Sequence, residues 1–560
     1  MKYIQKEFYM KRKVSVLIML SLLSVTLFAG GQQDSGENSV PYELTPNGTY
    51  PVVTEKVELT VFTPAEDAVI DFATNDFTTW LEEKTNVHII FETGPVDAVK
   101  EKITLLLASG DYPDIFMRSY LDINPAMEAR FGIEEEIFIP LNDLIRDHAP
   151  NFNKILEENP KLLGSITHLD GNIYSLPRVN DCYHCSMPIK MWVNKTWIDK
   201  AGLDMPETTE DFYEMLTAFK DMDMNGNGDT ADEIPLAGAR EREGWYETLD
   251  SFLMSPFIQD NGDRIRLLES NGEISSIVNT AEYKEGLKYL ARLFDEDLIY
   301  APSFTQKHDQ LRQLANYPDI LVGAFQAGHN QMLFNATADP ERYGQYVALP
   351  PLKGPDGTRQ TAYFPYNAYR TGQFLITDKC EDPEVAMRWI DSFYTVDAAI
   401  RESERGGVEG VHFRWAEPDE VGINGKPAIY KSLVKQSIEP RNFNWLNGTF
   451  YSRDFRLGKV KDPNEYGYEE FLYDTTKDLY SPYINPEVRI APPLKLTTEE
   501  ADQLSTIKVE LQNYIESSKT KFIMGEDDIE KNWDKYISDL ENIGLGSYLE
   551  VMQTAYNRQF

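Results

Sequence analysis

Cysteine and histidine are scarce in this chain. Its 560 residues include three cysteines and seven histidines, too few for a disulfide-rich scaffold or a zinc ribbon with two ligand pairs. Cys182 and Cys185 form a C-x-x-C pair, whereas Cys380 stands alone. In an exported chain a close pair predicts a disulfide. A redox role, or a zinc site that includes His184, are the alternatives that the pattern leaves open.

Positive charge is also in short supply. Lys and Arg total 54 against 91 Asp and Glu, which gives a net charge of −37. No basic stripe interrupts this acidity, and an acidic surface repels phosphate backbones. We therefore expect no nucleic-acid partner.

The familiar catalytic motifs are missing as well. The sequence has no Gly-x-Ser-x-Gly elbow, no His-Glu-x-x-His and no phosphate-binding loop that ends in Gly-Lys-Ser/Thr. We therefore expect no enzymatic activity. A glycoside hydrolase stays open as an alternative, because it needs only two carboxylates and acidic residues are abundant.

Long apolar runs are absent except near the N-terminus. Basic residues 11–13 precede the apolar stretch 14–28 and then the small residues Ala29-Gly30-Gly31. This is the pattern of a signal peptide over residues 1–31, with cleavage after Gly31 or, alternatively, after Ala29. The apolar stretch is short for a membrane span, so an uncleaved anchor is the less favoured interpretation.

No cysteine lies near that boundary, so no lipid-acceptor residue is available there. We expect an exported, soluble protein in a periplasmic or extracellular space. Residues 32–50 are rich in Gly, Ser, Asn and Gln, and we predict a flexible leader over residues 32–55.

Strand and helix patterns alternate after the leader. Residues 57–62 and 87–91 are strand-like, residues 99–107 are helical, and residues 115–117 form another short strand. This order predicts an α/β lobe with a largely parallel sheet.

Several amphipathic helices follow. Thr208 can cap a helix whose apolar residues Phe212, Met215, Leu216 and Phe219 share one face. A second apolar stripe runs over residues 283–299, and the chain is almost wholly helical from Ala501 onward.

An acidic Gly-Asn loop follows the helix that Thr208 caps. Its alternating carboxylate and amide oxygens are the ligands that Ca²⁺ prefers, and its glycines allow a tight turn. One register begins at Asp221. The preferred register begins at Asp223, with Asp229 contributing its backbone carbonyl. The preferred ligands are Asp223, Asn225, Asn227, Asp229, Asp232 and Glu233. A turn without metal is the alternative.

The chain resembles the extracellular solute-binding proteins of family 1, especially the large LipO/LplA-type members and, more distantly, the alginate-oligosaccharide binding proteins. The resemblance runs from about residue 56 to the C-terminus. It rests on residues 104–115 (TLLLASGDYPDI), 191–197 (MWVNKTW), 206–209 (PETT), 225–235 (NGNGDTADEIP), 407–413 (GVEGVHF) and 533–536 (WDKY). One extra residue between Asp229 and Asp232 separates the loop from the shorter form found in the alginate-binding relatives.

The resemblance implies an α/β, two-lobe periplasmic-binding-protein fold of type II, the "venus flytrap", with hinge strands and a helical C-terminal extension. It implies three crossings between lobes, near residues 178, 370 and 430. The N-terminal lobe would comprise residues 56–178 plus 370–430, and the C-terminal lobe residues 179–369 plus 431–560. The loop at 223–233 would hold structural Ca²⁺ away from the ligand.

A sugar cleft needs aromatic platforms beside polar side chains, because sugars combine apolar faces with many hydroxyls. Polar residues on loops after strands and aromatics outside obvious core periodicity are the candidates. The predicted ligand-binding residues are Glu66, Asp111, Arg118, Asn194, Trp245, Tyr246, Gln326, Tyr363, Tyr366, Glu409, Trp415 and Trp445.

By resemblance, the chain is the substrate-binding component of an ABC importer. It would capture an oligosaccharide between the lobes, as a monomer, and deliver it to the permease subunits. Besides a glycoside hydrolase, a peptide-binding protein and a sensory binding protein remain alternatives, because peptide clefts also use aromatics.

Overall fold

The computed structural model describes residues 42–560 except 67, 119–120, 122, 241–247, 336–337, 364–367, 404–405, 435–439, 446–447 and 462–466. The predicted signal peptide lies outside this part of the chain. The strands are β1 (Val57–Ala65), β2 (Val87–Pro95), β3 (Ile115–Met117), β4 (Leu176–Asn180), β5 (Met191–Asn194), β6 (Ile234–Ala237), β7 (Leu267–Ser270), β8 (Glu273–Ser276), β9 (Val322–Gln326), β10 (Tyr346–Leu349), β11 (Tyr369–Ile376), β12 (Phe413–Trp415), β13 (Tyr430–Ser432), β14 (Phe450–Tyr451) and β15 (Arg489–Ile490).

Helices separate most of these strands. The α-helices are Asp76–Thr85, Val99–Ser109, Pro125–Glu128, Asn142–His148, Pro150–Glu158, Pro160–Ile166, Lys195–Ala201, Thr209–Asp221, Asp250–Met254, Ala281–Asp295, His308–Ala315, Pro340–Gln345, Pro383–Asp391, Val396–Glu402, Arg453–Leu457, Tyr468–Thr475, Thr498–Ile523, Ile529–Ile543 and Leu545–Gln559. None of the helices in the described part of the chain is both long and apolar enough to span a membrane.

The first lobe is built on a six-stranded sheet in the order β14-β4-β11-β3-β1-β2. β1 pairs in parallel with β2 over nine residues, from Val57 opposite Val87 to Ala65 opposite Pro95. β3 is also parallel to β1, whereas β11 is antiparallel to both β3 and β4. The predicted α/β lobe is therefore present, with a mixed sheet instead of a largely parallel one.

The second lobe is built on a four-stranded sheet in the order β10-β5-β9-β6 and has a hydrophobic core of its own. The three C-terminal helices contribute to this core: Leu504, Leu511 and Ile515 from the first, Tyr536 and Leu540 from the second, and Leu545 and Tyr548 from the third. A three-stranded sheet, β15-β7-β8, and a two-stranded ribbon, β12-β13, complete the strands.

The helix predicted at Thr208 is confirmed. Thr208 Oγ1 accepts a hydrogen bond from the Asp211 backbone N–H at 3.1 Å, and the Asp211 carboxylate accepts one from the Thr208 N–H at 3.0 Å. This capping box satisfies two of the free donors at the helix start. The four predicted apolar residues are buried.

The described part of the predicted leader, residues 42–55, is folded. It lies against the first lobe: Leu44 forms a β-bridge with Val53, and Val52 and Val53 belong to the first core. Tyr42 donates a hydrogen bond to the Asp382 carboxylate at 2.6 Å. The composition of this segment is polar on average, so it does not reveal that Val52 and Val53 are buried. Their burial stabilises the segment.

The third crossing comes later than residue 430. The predicted boundary separates β14 from the N-terminal lobe, yet Phe450 and Tyr451 pair with β4 in the first sheet. Further along the chain, the helix Tyr468–Thr475 contributes Leu472 to the second core. The boundary was placed too early because β14 pairs with a strand about 270 residues away, and local sequence patterns do not reveal pairing between such distant positions.

Candidate functional site

The chain crosses between the two sheets at one edge of each sheet. β4 ends at Asn180 and β5 begins at Met191, while β10 ends at Leu349 and β11 begins at Tyr369. Because β11 is antiparallel to β3 and β4, it begins at the edge of the sheet where β1, β3 and β4 end. In the second sheet, Gln326 lies opposite Met191. Open α/β sheets bind ligands beyond strand ends, so these two edges form the candidate site.

Glu66 and Arg118, both predicted from the sequence, meet at the edge of the first sheet. The Arg118 guanidinium lies 3.0 Å from Glu66 Oε1, 4.7 Å from the centroid of the Phe72 ring, and donates to the Trp445 carbonyl. Arg118 has a positive φ of 98°, a conformation that costs about 1–3 kcal/mol. Its backbone N–H donates to the Gln373 carbonyl at 2.7 Å, which helps to hold that conformation.

A small pocket opens beside Arg118. Its lining residues are Met117, Arg118, Arg178, Gln373, Phe374, Glu402, Gly448 and Thr449. The Glu402 carboxylate accepts hydrogen bonds from the Thr449 N–H at 2.8 Å and from the Thr449 hydroxyl at 3.1 Å. Burial raises the pKa of Glu402 to about 7. Gln373 lines the pocket, and its Oε1 is buried with no hydrogen-bond partner among the described residues.

Sequence reasoning missed most of this pocket. Arg178 could have been found from the sequence, because a charged residue inside the mostly apolar strand Leu176–Asn180 indicates a functional or ion-pairing role. Its Nε donates to the Gly448 carbonyl at 2.9 Å. Glu402 carries no comparable signal, since it ends an ordinary amphipathic helix and only its burial distinguishes it.

The edge of the second sheet is built from buried polar groups. Gln326, a predicted residue, accepts the Phe252 backbone N–H at 2.7 Å through Oε1. Lys190, immediately before β5, is fully buried and donates to the carbonyls of His184 and Met187. Burial lowers the pKa of Lys190 to about 7. This amine was not predicted.

The crossing segment 181–190 carries the cysteine pair. The sulfur atoms of Cys182 and Cys185 are bonded to each other, with Cα atoms 5.1 Å apart. Buried His184 lies between them in sequence, and its Nδ1 is 3.5 Å from Glu469 Oε1. Burial lowers the pKa of His184 to about 3, so its imidazole is neutral.

Two predicted residues lie at the opposite edges of the sheets. Asp111 is exposed in the turn before β3, whereas Arg118 follows β3. Asn194 ends β5, which runs antiparallel to β9, and it caps the next helix by accepting the Trp197 N–H at 3.1 Å. Both were predicted to lie on loops after strands. Asp111 instead precedes β3, and Asn194 ends a strand that runs away from the site.

Trp445 is buried in the first core with 1% of its surface exposed. Its ring contacts Phe77, Phe72, Phe91 and Phe393 at centroid distances of 5.0 to 5.7 Å. The indole N–H donates to the Thr78 hydroxyl. The structure therefore gives Trp445 a packing role and not an open sugar platform; only its carbonyl reaches Arg118.

The remaining predicted residues lie apart from these contacts. Tyr363 is half-buried and packs against the second core. Glu409 is exposed and pairs with Arg401 at 2.9 Å. Trp415 ends β12 with 38% of its surface exposed. Trp245, Tyr246 and Tyr366 lie outside the described residues.

The predicted cation loop is tightly wound. Gly226 and Gly228 both have positive φ, and their N–H groups donate to the two carboxylate oxygens of Asp223 at 2.7 and 3.1 Å. The side-chain amides of Asn225 and Asn227 donate to Asp232 at 3.2 and 2.7 Å.

Glu233 closes this loop from inside. Its Oε1 accepts the N–H groups of Met224 and Asn225 at 2.6 and 3.2 Å. Its Oε2 is buried without a hydrogen-bond partner in the described part of the chain. Burial raises the pKa of Glu233. A buried, unpartnered carboxylate oxygen fits a cation ligand.

Comparisons with known proteins identify relatives over most of the chain. It is 29% identical over 488 residues, 85% of this chain and 86% of the relative, to the fructooligosaccharide ABC transporter substrate-binding protein FusA of Streptococcus pneumoniae serotype 4 (strain ATCC BAA-334 / TIGR4). It is 24% identical to the lipoprotein LipO of Bacillus subtilis (strain 168), over 85% of this chain and 88% of LipO.

Solved structures agree. An S. pneumoniae FusA EF-hand mutant in complex with fructo-nystose superposes with a TM-score of 0.72 and 27% identity, covering 90% of this chain and 99% of FusA. A solute-binding protein of Bifidobacterium longum infantis gives a TM-score of 0.74 at 20% identity, over 90% and 99% of the two chains, and shares the fold. Residues 63–400, more than half of the chain, match the family described as bacterial extracellular solute-binding protein. The chain belongs to this family of extracellular solute-binding proteins and has its two-lobe, type II fold.

Proposed function

We propose that this protein is the substrate-binding component of an ABC importer and captures an oligosaccharide between its two lobes. The observation that carries the proposal is the meeting of both sheet edges with the crossing segments, where Glu66 and Arg118 pair and Gln373 holds a buried acceptor that no described residue uses. The similarity to FusA, over 85% of this chain, supports an oligosaccharide over a peptide.

The contacts at the site favour an uncharged sugar. Arg118 is already paired with Glu66, so this cation needs no anionic ligand. Hydroxyl groups of a sugar can donate to an acceptor such as Gln373 Oε1. Delivery to permease subunits, export by the signal peptide, and a soluble monomer complete the proposal.

Binding without turnover is the expected behaviour. A ligand that binds only the folded state raises the unfolding free energy by about 2.7 kcal/mol at a hundredfold excess over its dissociation constant. We expect kestose to raise the unfolding midpoint, and a uronic-acid oligosaccharide and a tripeptide to leave it unchanged. Differential scanning calorimetry measures the shift, and chromatography of the same samples should show intact sugar. A shift with the tripeptide alone, or cleaved sugar, would contradict the proposal.

We also propose that loop 223–233 holds a structural Ca²⁺. The side chains of Asp223, Asn225, Asn227, Asp232 and Glu233, with the Asp229 carbonyl, supply only oxygen ligands, as this hard cation requires. The buried Glu233 Oε2 supports this assignment. When bound, the ion would neutralise the loop's carboxylates and stabilise the fold without taking part in sugar binding.

A further inference from the structure

The crossing segment brings a second set of potential ligands together. Cys182 Sγ, Cys185 Sγ and a ring nitrogen of His184 all lie within 4.8 Å of one another. Cys182 and His184 are buried. These are soft sulfur and imidazole donors, unlike the oxygen donors of loop 223–233.

We propose that reduction of the Cys182–Cys185 disulfide unmasks a site for a thiophilic divalent cation such as Zn²⁺, held by both sulfurs and the His184 imidazole. Two thiolates and one imidazole are a complete set of three protein ligands for a tetrahedral ion that keeps one open position. The ion would replace the disulfide as the link between the two cysteines. This inference does not depend on which solute the lobes capture.

The surrounding charges are compatible with a cation. Two thiolates neutralise a divalent ion, and the Glu469 carboxylate offsets the Arg456 guanidinium, which donates to it at 2.9 Å. Lys190 directs its amine to the carbonyls of His184 and Met187. Glu469, 3.5 Å from His184 Nδ1, is placed to orient the imidazole, as carboxylates beside metal-bound histidines do.

The redox step needs an external dithiol, either a thioredoxin-like protein or a small-molecule dithiol. The dithiol gives two electrons to the disulfide and becomes a disulfide itself, while its two protons pass to the Cys182 and Cys185 sulfurs. Metal binding then releases both protons, because the thiolate is the ligand.

The proposed metal site lies in the crossing segment that joins β4 to β5. This segment contacts later parts of the chain: the Asp181 carboxylate pairs with Arg453 at 2.7 Å, and the ring centroids of Tyr183 and Tyr473 are 5.0 Å apart. The disulfide closes a loop of only two intervening residues, so its entropic effect on the unfolded chain is small. It serves to shape the crossing segment, and a metal bridge would preserve that shape under reducing conditions.

Cobalt titration tests the proposal. The protein is reduced with dithiothreitol, separated from it without oxygen, and titrated with Co²⁺. We expect a sulfur-to-cobalt charge-transfer band that saturates at one ion per chain, is absent from the oxidised protein, and disappears when Zn²⁺ is added. Cys182→Ser should abolish the band, and Glu469→Gln should weaken Zn²⁺ affinity about 10–100-fold.

Cys380→Ser is the matched control, because Cys380 is the remaining cysteine and is buried in the first core. This variant should keep the full band. Each variant should show a cooperative unfolding transition, which checks that it is folded. The proposal is overturned if the reduced wild type gives no band, if Cys182→Ser keeps it, or if Cys380→Ser loses it.

Discussion

At the scale of single residues, burial decides which predicted side chains act at the site. Arg118 and Glu66 meet there, whereas Trp445 was chosen for its ring and contributes only its carbonyl. Glu402, absent from the predicted set, lies beside Arg118 and Arg178 in the pocket with a pKa raised to about 7 by burial. A carboxyl that titrates near neutral pH at the site links the stability of the first lobe to pH.

Glu402→Gln tests this link. The raised pKa means that the folded state holds the Glu402 proton more tightly than the unfolded state does. Its stabilising contribution is therefore complete below the ordinary Glu pKa and is lost as pH rises through about 7, on the order of 3 kcal/mol at most. When the pH is raised from about 5 to about 8, we expect the unfolding free energy to fall less in the variant than in the wild type. Urea unfolding at each pH measures this difference. Exposed Glu409→Gln serves as the control, and an unchanged pH profile in Glu402→Gln would refute the link.

Trp445 and Trp415 form a second residue-scale test. Trp445→Ala removes a ring from a cluster of four Phe rings and should lower the unfolding free energy by about 3–5 kcal/mol. Trp415→Ala, at the exposed end of β12, should change it by about 0.5 kcal/mol or less. Denaturant unfolding of both variants measures the difference. Equal losses would show that Trp445 is not a core residue.

At the scale of elements, the helix Thr209–Asp221 and the following loop act as one unit. The capping box fixes where the helix starts, and the loop folds back so that the Lys200 amine donates to the Asp223 carbonyl at 2.5 Å. The helix end thus positions the first oxygen ligands, and a cation bound there would stabilise the second lobe.

The effect of EDTA on thermal unfolding distinguishes the two possible registers of the cation loop. EDTA should lower the unfolding midpoint of the wild type and of Asp221→Asn, because Asp221 precedes the preferred register and is exposed. In Glu233→Gln the midpoint should already be lower and insensitive to EDTA. Differential scanning calorimetry with and without Ca²⁺ measures this. EDTA sensitivity lost in Asp221→Asn but kept in Glu233→Gln would favour the register that begins at Asp221.

At the scale of the whole molecule, the crossings join two lobes with separate cores. Two lobes with separate cores can close around a ligand by rotating about the crossing segments while each core stays intact. We expect solute binding to use this movement together with the polar groups that line both edges.

Small-angle X-ray scattering measures the closure. We expect the radius of gyration to decrease when kestose saturates the protein, and to stay unchanged with a sugar that gives no calorimetric binding. The comparison must use the same buffer with Ca²⁺ present, so that loop 223–233 is in one state. Binding of kestose without any decrease would rule out closure as the capture step.

Local sequence patterns determined the α/β class, the cap at Thr208, the apolar helix faces and the acidic Gly-Asn loop, because period, capping and turn chemistry act between near neighbours. The family resemblance added the two lobes. Only the tertiary structure decided that Asn194 and Asp111 lie at the edges opposite the candidate site, that Trp445 is core, and that Glu402 lies beside Arg118. The reason is physical: strand direction and burial depend on contacts between distant segments, and no local pattern encodes those contacts.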